Sequence, residues 1–235
     1  FLNIDNGIAF YSDKNKKIFF DVVQPNSDMI SSNLSAGTLS IELSGFGEKI
    51  VTNCGASESF GKNPEYLRYS AAHSTIILQN TNISEIKEDN PHIKFPQSVV
   101  FRKEANEQEE IFEGSHNGYL KKFSKIIKRR LVIYRNKNKF NGEDSFISYK
   151  DIGSRLIYHI RFHLGNNIVL NFTNNKKNII LKTKMNKIWL FKSSAELIVE
   201  DSILVDNNIT KPTKQIVIKG VLSGRKFIEK WSLEK

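Results

Sequence analysis

Cysteine is nearly absent. Cys54 stands alone in 235 residues, which excludes an intrachain disulfide framework and a multi-cysteine zinc site. No apolar run approaches the length a helix needs to cross a bilayer, so a helical membrane protein is excluded too. The motifs of several enzyme classes are missing: there is no Gly-rich phosphate loop, no G-x-S-x-G elbow and no H-E-x-x-H helix. Glu109 and Glu110, a carboxylate pair of the kind glycoside hydrolases use, are adjacent and would point apart on a strand. No internal repeat or composition shift marks a second domain. Nothing near the first residue looks like a signal peptide. The chain opens on Phe1 rather than Met, which suggests a piece of something longer and leaves its compartment unread.

What is present is a basic chain of globular composition. At 27.0 kDa and 39% hydrophobic residues it can bury the core of one sizeable β domain. The net charge of +10 favours polyanionic partners. A coding bias that fills the chain with Lys, Asn and Ile is an equally good source of that charge, so clustering is more informative than the total. The densest stretch runs from Lys121 to Lys139 and includes Lys128, Arg129, Arg130 and Arg135. Phe123, Tyr134 and Phe140 interleave with it, but no RNA- or DNA-binding motif accompanies them, so nucleic acid is not the expected partner. No membrane partner is expected either.

Short β-type runs broken by turn residues dominate. Residues 8–11 and 17–22 flank Asp13-Lys14-Asn15 as a hairpin would. Residues 38–43 alternate with period two. Further strands are expected at 73–78, 98–102, 110–113, 130–134, 145–149, 156–164, 187–191, 196–200, 214–219 and 226–233. Asn141-Gly142, Ser223-Gly224 and the Asn-Asn pairs at 166–167, 174–175 and 207–208 read as turns between them. Residues 62–66 and 80–96 read as loops. Residues 119–127 have helix-like spacing, yet strands are expected there on the grounds given below. Many strands with few helical patterns predict an all-β fold, a large antiparallel β-sandwich over 1–235.

Three short runs carry the functional signal. They are Arg68-Tyr69-Ser70-Ala71-Ala72-His73-Ser74-Thr75, Ser115-His116-Asn117-Gly118-Tyr119 and Ile160-Arg161-Phe162-His163-Leu164. Four of the five histidines fall in or beside them, so the clustering is not spread through the chain. Read alone, each run has an ordinary explanation. His73 would be a half-buried histidine bonded to backbone. The second run would be a β-turn with a packed tyrosine. Arg161 and His163 share a strand face, where they would bind a carboxylate or sulfate, or Arg161 would pair with a cross-strand Glu or Asp.

Together, in this order and spacing, the runs resemble the C-terminal β-domain of the heparinase II/III-like polysaccharide lyases. That resemblance implies strands through 119–127 and a partner α/α-toroid domain in the same or a second chain. It also implies an acidic, uronic-acid-containing polysaccharide as substrate, cleaved by β-elimination, and a periplasmic or secreted setting. It makes His73 and Arg68 the catalytic candidates, with His116, Tyr119, Arg129, Arg130, Arg161 and His163 binding substrate. In some members the histidine of the first run binds zinc. Here Ser35 and Asn53 stand where that pattern has a histidine and an aspartate, and a hydroxyl and an amide are poor zinc ligands, so neither metal nor other cofactor is expected. Because the principal acid–base groups of such lyases lie on the toroid, this chain alone is not expected to be active. The alternative is a non-catalytic sandwich that binds acidic glycan or packs against another domain.

Overall fold

The structure, a computed structural model, describes residues 4–5, 7–25, 35–57, 64–86, 94–150, 155–173 and 175–235. Among these, no helix is long and apolar enough to cross a membrane.

Two antiparallel sheets hold every strand of the described residues and more than half of those residues. The first, sheet A, contains β1 (Ile4–Asp5), β2 (Ile8–Ser12), β3 (Lys16–Asp21), β4 (Ile41–Gly45) and β5 (Glu48–Thr52). It continues through β11 (Leu156–Leu164), β16 (Ile209–Leu222) and β15 (Leu197–Asp206), while β6 (Ile76–Leu78) pairs with β11 beside β5. Sheet B runs in the order β12 (Val169–Phe172), β13 (Asn178–Lys182), β14 (Ile188–Ser193), β17 (Lys226–Glu234), β10 (Lys139–Ser148), β9 (Lys125–Tyr134), β8 (Glu109–His116) and β7 (Val99–Ala105). One hydrophobic core, with Phe20, Leu43 and Phe162 from sheet A and Phe112, Phe146 and Trp231 from sheet B, lies between them. This is the antiparallel sandwich expected from the strand pattern.

The turns follow from their residues. Asp13 Oδ1 accepts the backbone N–H groups of Asn15 (2.8 Å) and Lys16 (2.9 Å), closing the β2–β3 hairpin. Asn207 and Asn208 both take positive φ, 49° and 60°, as a two-residue hairpin between right-twisted strands requires. Gly224, at φ 69°, turns β16 into β17.

Several local expectations are corrected. Asn141-Gly142 is not a turn but the interior of β10, where the missing side chain makes room for the Trp231 indole. A Cβ on Gly142 would lie 2.1 Å from Trp231 Cε2. Gly45 serves the same purpose across the sandwich for Trp189. Residues 119–127 are neither one helix nor all strand. α2 (Leu120–Phe123) makes a single turn, Ser124 stops it at φ 50°, and β9 begins at Lys125. Within 62–66, Glu65 and Tyr66 open a one-turn helix, α1 (Glu65–Arg68), rather than a loop. The strands expected at 196–200 and 214–219 extend to ten and fourteen residues. Pro212 does not interrupt β16, because β11 pairs it only from Gln215 onward and Pro212 borders β15 alone. The strand expected from His73 begins three residues later, at Ile76, and that delay shapes the site.

Candidate functional site

β5 meets β11 at only two positions, Val51–Leu164 and Thr52–His163, and β6 takes up β11 at Tyr158–Ile160. Ser74 and Thr75 fill the gap. The Ser74 N–H donates to Asn53 Oδ1 (2.8 Å), its hydroxyl donates to the Thr52 carbonyl (2.5 Å), and its Oγ accepts the His163 N–H (2.9 Å). Thr75 donates its hydroxyl to the Thr38 carbonyl (2.8 Å) and accepts the Arg161 N–H (3.0 Å) on its own carbonyl. Both side chains are fully enclosed. The Ser-Thr pair therefore replaces ladder hydrogen bonds that the two strands cannot make directly.

This plug fixes what lies before it. α1 and a 3-10 turn at Ser70–Ala72 bring Arg68 and His73 against sheet A. Ala36 N–H donates to the Arg68 carbonyl (2.8 Å) and Cys54 N–H to the Ala72 carbonyl (2.8 Å). The Arg68 side chain is buried. His73 is partly exposed, with its ring against Gly37, where a Cβ would lie 3.0 Å from His73 Cγ. Its Nε2 is enclosed without a hydrogen-bond partner. Burial pulls the His73 pKa down to about 4, so the ring is neutral at pH 7.

His163 lies beside this group with both ring nitrogens engaged. Nε2 is 2.9 Å from the Ala71 carbonyl, which can only accept, so Nε2 carries the proton. Nδ1 then accepts from the Ser202 hydroxyl at 2.7 Å, and Cys54 Sγ sits 3.5 Å away. Burial, with Arg161 and His73 adding to it and the Ala71 carbonyl opposing, brings His163 down to about 3. Burial also pushes the Cys54 thiol up, away from thiolate chemistry. A depression of about 320 Å3 opens over His163, Cys54, Ser202 and Tyr66. Next to it, Arg161 pairs with Glu200 (2.9 Å) and reaches Gln215 (3.1 Å), which is the cross-strand ion pair allowed for by its strand face.

The remaining candidates are placed elsewhere. Arg129 lines no surface and is fully buried. Its Nε and Nη2 donate to the two Asp144 oxygens at 2.6 and 2.9 Å, while Nη1 crosses the sandwich to the Leu39 (2.9 Å) and Ser74 (2.8 Å) carbonyls. Phe162 and Trp231 flank the guanidinium, and Trp231 Nε1 donates to Asp144 (3.0 Å). Arg130, the next residue, faces outward from sheet B, opposite Glu113 and Glu143, and shares no cleft with His73. His116 and Tyr119 are together, with rings 5.7 Å apart, but inside the sandwich. His116 Nδ1 accepts the Gly118 N–H (3.1 Å), and the Tyr119 hydroxyl donates to the Thr81 carbonyl (2.7 Å). Arg129, His116 and Tyr119 are therefore interior, His163 is buried beneath the depression, and Arg130 lies on the outer face of sheet B. Asp144, Ser74 and Ser202 were missed. Asp144 had a signal, since it falls in the same alternating phase as Phe140 and Phe146, where a carboxylate requires a buried partner.

Zinc does not fit. Asn53 spends its amide oxygen on the Ser74 N–H and its Nδ2 on Glu42 Oε1 (3.1 Å), so it serves a hydrogen-bond network in place of a metal. Among the described residues no three His, Cys, Asp or Glu side chains are grouped to hold a metal.

The neutral histidines have a pH consequence. His116 and His163 have pKa values brought down to about 3 and His73 to about 4, all by burial first. Below the unfolded value near 6.5 the unfolded chain takes up three protons that the folded chain refuses. Asp21, raised to about 7 by burial, opposes them by one proton. With two net protons favouring the unfolded state, stability is expected to fall by roughly 3 kcal/mol per pH unit near pH 5. Urea unfolding between pH 7 and 4.5 measures this, and His116→Gln should remove about one proton from the slope.

Fold and site together define a large two-sheet sandwich with an arginine and histidine group held against one sheet by a Ser-Thr plug. Its sequence matches the family described as Heparinase II/III-like, C-terminal, over residues 5–232. The chain belongs to that family. No curated protein sequence matches it. Among solved structures it is similar to heparan sulfate lyase HepC from Pedobacter heparinus, with TM-score 0.77 and 13% identity over 98% of this chain and 35% of that one. It is also similar to heparinase III, the BT4657 gene product, with TM-score 0.78 and 8% identity over 100% of this chain and 35% of that one. A further heparinase III structure gives TM-score 0.70 and 12% identity over 93% and 33%. The chain spans about a third of the length of the solved structures it matches.

Proposed function

We propose that this chain is the β-sandwich part of a polysaccharide lyase and contributes to β-eliminative cleavage of a uronic-acid-containing acidic polysaccharide, alongside an α/α-toroid domain. The observation that carries the reading is His73, a neutral, partly exposed imidazole whose Nε2 has no partner and whose ring is seated on Gly37. β-Elimination requires neutralisation of the uronate carboxylate, removal of the C5 proton and protonation of the leaving oxygen. Nε2 is enclosed, so the nitrogen open to a sugar is Nδ1, where a neutral imidazole can accept or donate. Arg68, on the adjoining helix, has a buried side chain and anchors the segment through its carbonyl, which accepts the Ala36 N–H.

A second reading, a sandwich that binds glycan or packs against a domain without chemistry, draws support from the same structure. Arg129, His116, Tyr119 and His163 are all absorbed into the fold, and Asn53 has joined a structural network. The complete protein decides between them. Incubated with heparan sulfate and other uronic-acid polysaccharides, it is expected to release unsaturated uronate, followed by its ultraviolet absorbance. Salt-sensitive binding with no unsaturated product would select the second reading.

A further inference from the structure

The outer face of sheet B, away from His73, carries two adjoining depressions that the reading above leaves unused. One, of about 460 Å3, crosses β14, β17 and β10 over the registered row Lys192, Ser232 and Asn141, and is flanked by Lys139 and Lys230. The other, of about 690 Å3, shares Lys139 and continues over Leu190, Glu234, Lys137 and Lys235. Five lysines thus face two glutamates. Glu234 is bridged by both Lys139 and Lys192, and Glu143 lies 3.4 Å from Lys230. Lys137, Lys230 and Lys235 are exposed. Between the lysines lie short polar groups, the hydroxyls of Ser193, Ser194 and Ser232 and the Asn141 amide, whose Oδ1 is enclosed without a donor.

We propose that this groove is a second binding site for acidic polysaccharide, one that holds the chain of sugars away from the reacting end. An extended polyanion fits because the cations are spread along β17, from Lys230 past Lys192 and Lys139 to Lys235, rather than gathered at a point. The Ser193 and Ser232 hydroxyls between them suit sugar hydroxyls, while Ser194 is engaged with Glu229 and the Asn141 amide with Tyr134. A single-stranded nucleic acid would require an exposed aromatic platform for its bases. The groove offers none. The Trp231 indole is buried with Nε1 tied to Asp144, and the Tyr134 ring lies under Lys139. The inference takes only the class of ligand from the proposed function.

The test is calorimetric titration of this chain with a heparan sulfate octasaccharide. Lys137→Ala/Lys230→Ala/Lys235→Ala should bind at least about tenfold more weakly than the unaltered chain, with a shallower dependence of affinity on salt. A control, Lys176→Ala/Lys184→Ala/Lys219→Ala, makes the same charge change at exposed positions outside the groove and should bind nearly normally. Unchanged affinity in the groove variant, or an equal loss in the control, would overturn the site. Displacement of the octasaccharide by polyadenylate at equal charge would overturn the choice of glycan. Binding is read on this chain and cleavage on the complete protein, so absence of unsaturated product would sink the lyase reading and leave the groove result standing.

Discussion

Arg129→Met is expected to cost about 3–5 kcal/mol of folding stability, a large share of what a domain of this kind has to lose. The loss has two parts. Asp144 is left in the core with only the Trp231 indole to bond it, and a buried carboxyl group without its counter-charge is the larger cost. The Leu39 and Ser74 carbonyls then lose the donor that reaches them from the other sheet. Asp144→Asn should do comparable damage from the opposite side, because the guanidinium then lacks its counter-charge. In Arg129→Met/Asp144→Leu both charges are gone, and the loss should be smaller than in either single variant, though the two carbonyls still lack a donor. Arg130→Met, one residue away but facing solvent, should change stability by about 0.5 kcal/mol or less. Urea unfolding midpoints at constant slope measure all four. A loss under about 1 kcal/mol for Arg129→Met would show that the two sheets do not depend on this contact.

The contrast between Arg129 and Arg130 shows what the sequence made legible. Strand alternation, the Asn-Asn turns at 166–167 and 207–208, the Ser-Gly turn and the opening hairpin were readable because each depends on neighbours two or three residues apart. The Asn174-Asn175 turn falls partly outside the described residues. The phase of Arg129 was readable by the same rule, as it alternates with Ile127, Leu131 and Ile133 on the core face of β9. Treating the two arginines as one basic patch ignored that adjacent strand residues face opposite ways. The partner was the harder part. Asp144 is fifteen residues from Arg129, and the two carbonyls that Arg129 reaches lie in connections beside the other sheet, so no local pattern brings them together. The delayed start of β6 is similar. Ser74 and Thr75 look like strand residues, but the gap between β5 and β11 recruits the Ser74 hydroxyl and the Thr75 carbonyl in place of a ladder. In the same way, histidines chosen for their neighbours in sequence divided by depth once folded. His116 and His163 went into the interior, and His73 stayed at the edge.

That division gives the second large effect. In the complete lyase, His73→Ala is expected to lower kcat by about a hundredfold or more, the usual range for removing a positioned acid–base group, while the unfolding free energy changes by about 1 kcal/mol or less. The small stability cost follows from the ring itself: Nε2 bonds nothing and one side of the residue is open. His163→Ala should behave in the reverse way. It breaks the bonds to Ala71 and Ser202 and leaves a cavity under Cys54, so folding suffers while correctly folded enzyme retains its specific activity. Gly37→Ala tests position without removing the imidazole. The new Cβ would press on the ring from 3.0 Å and displace it, so kcat should fall while the KM for polysaccharide stays nearly constant. The pH profile supplies a separate readout. With His73 at about 4 in the free enzyme, kcat/KM should hold level from pH 7 toward 5 as far as this group is concerned and drop near pH 4 as it protonates. His73→Asn should remove that acid limb. If His73→Ala instead unfolds the protein while the surviving folded fraction cleaves normally, His73 is a packing residue, and the chemistry belongs entirely to the other domain.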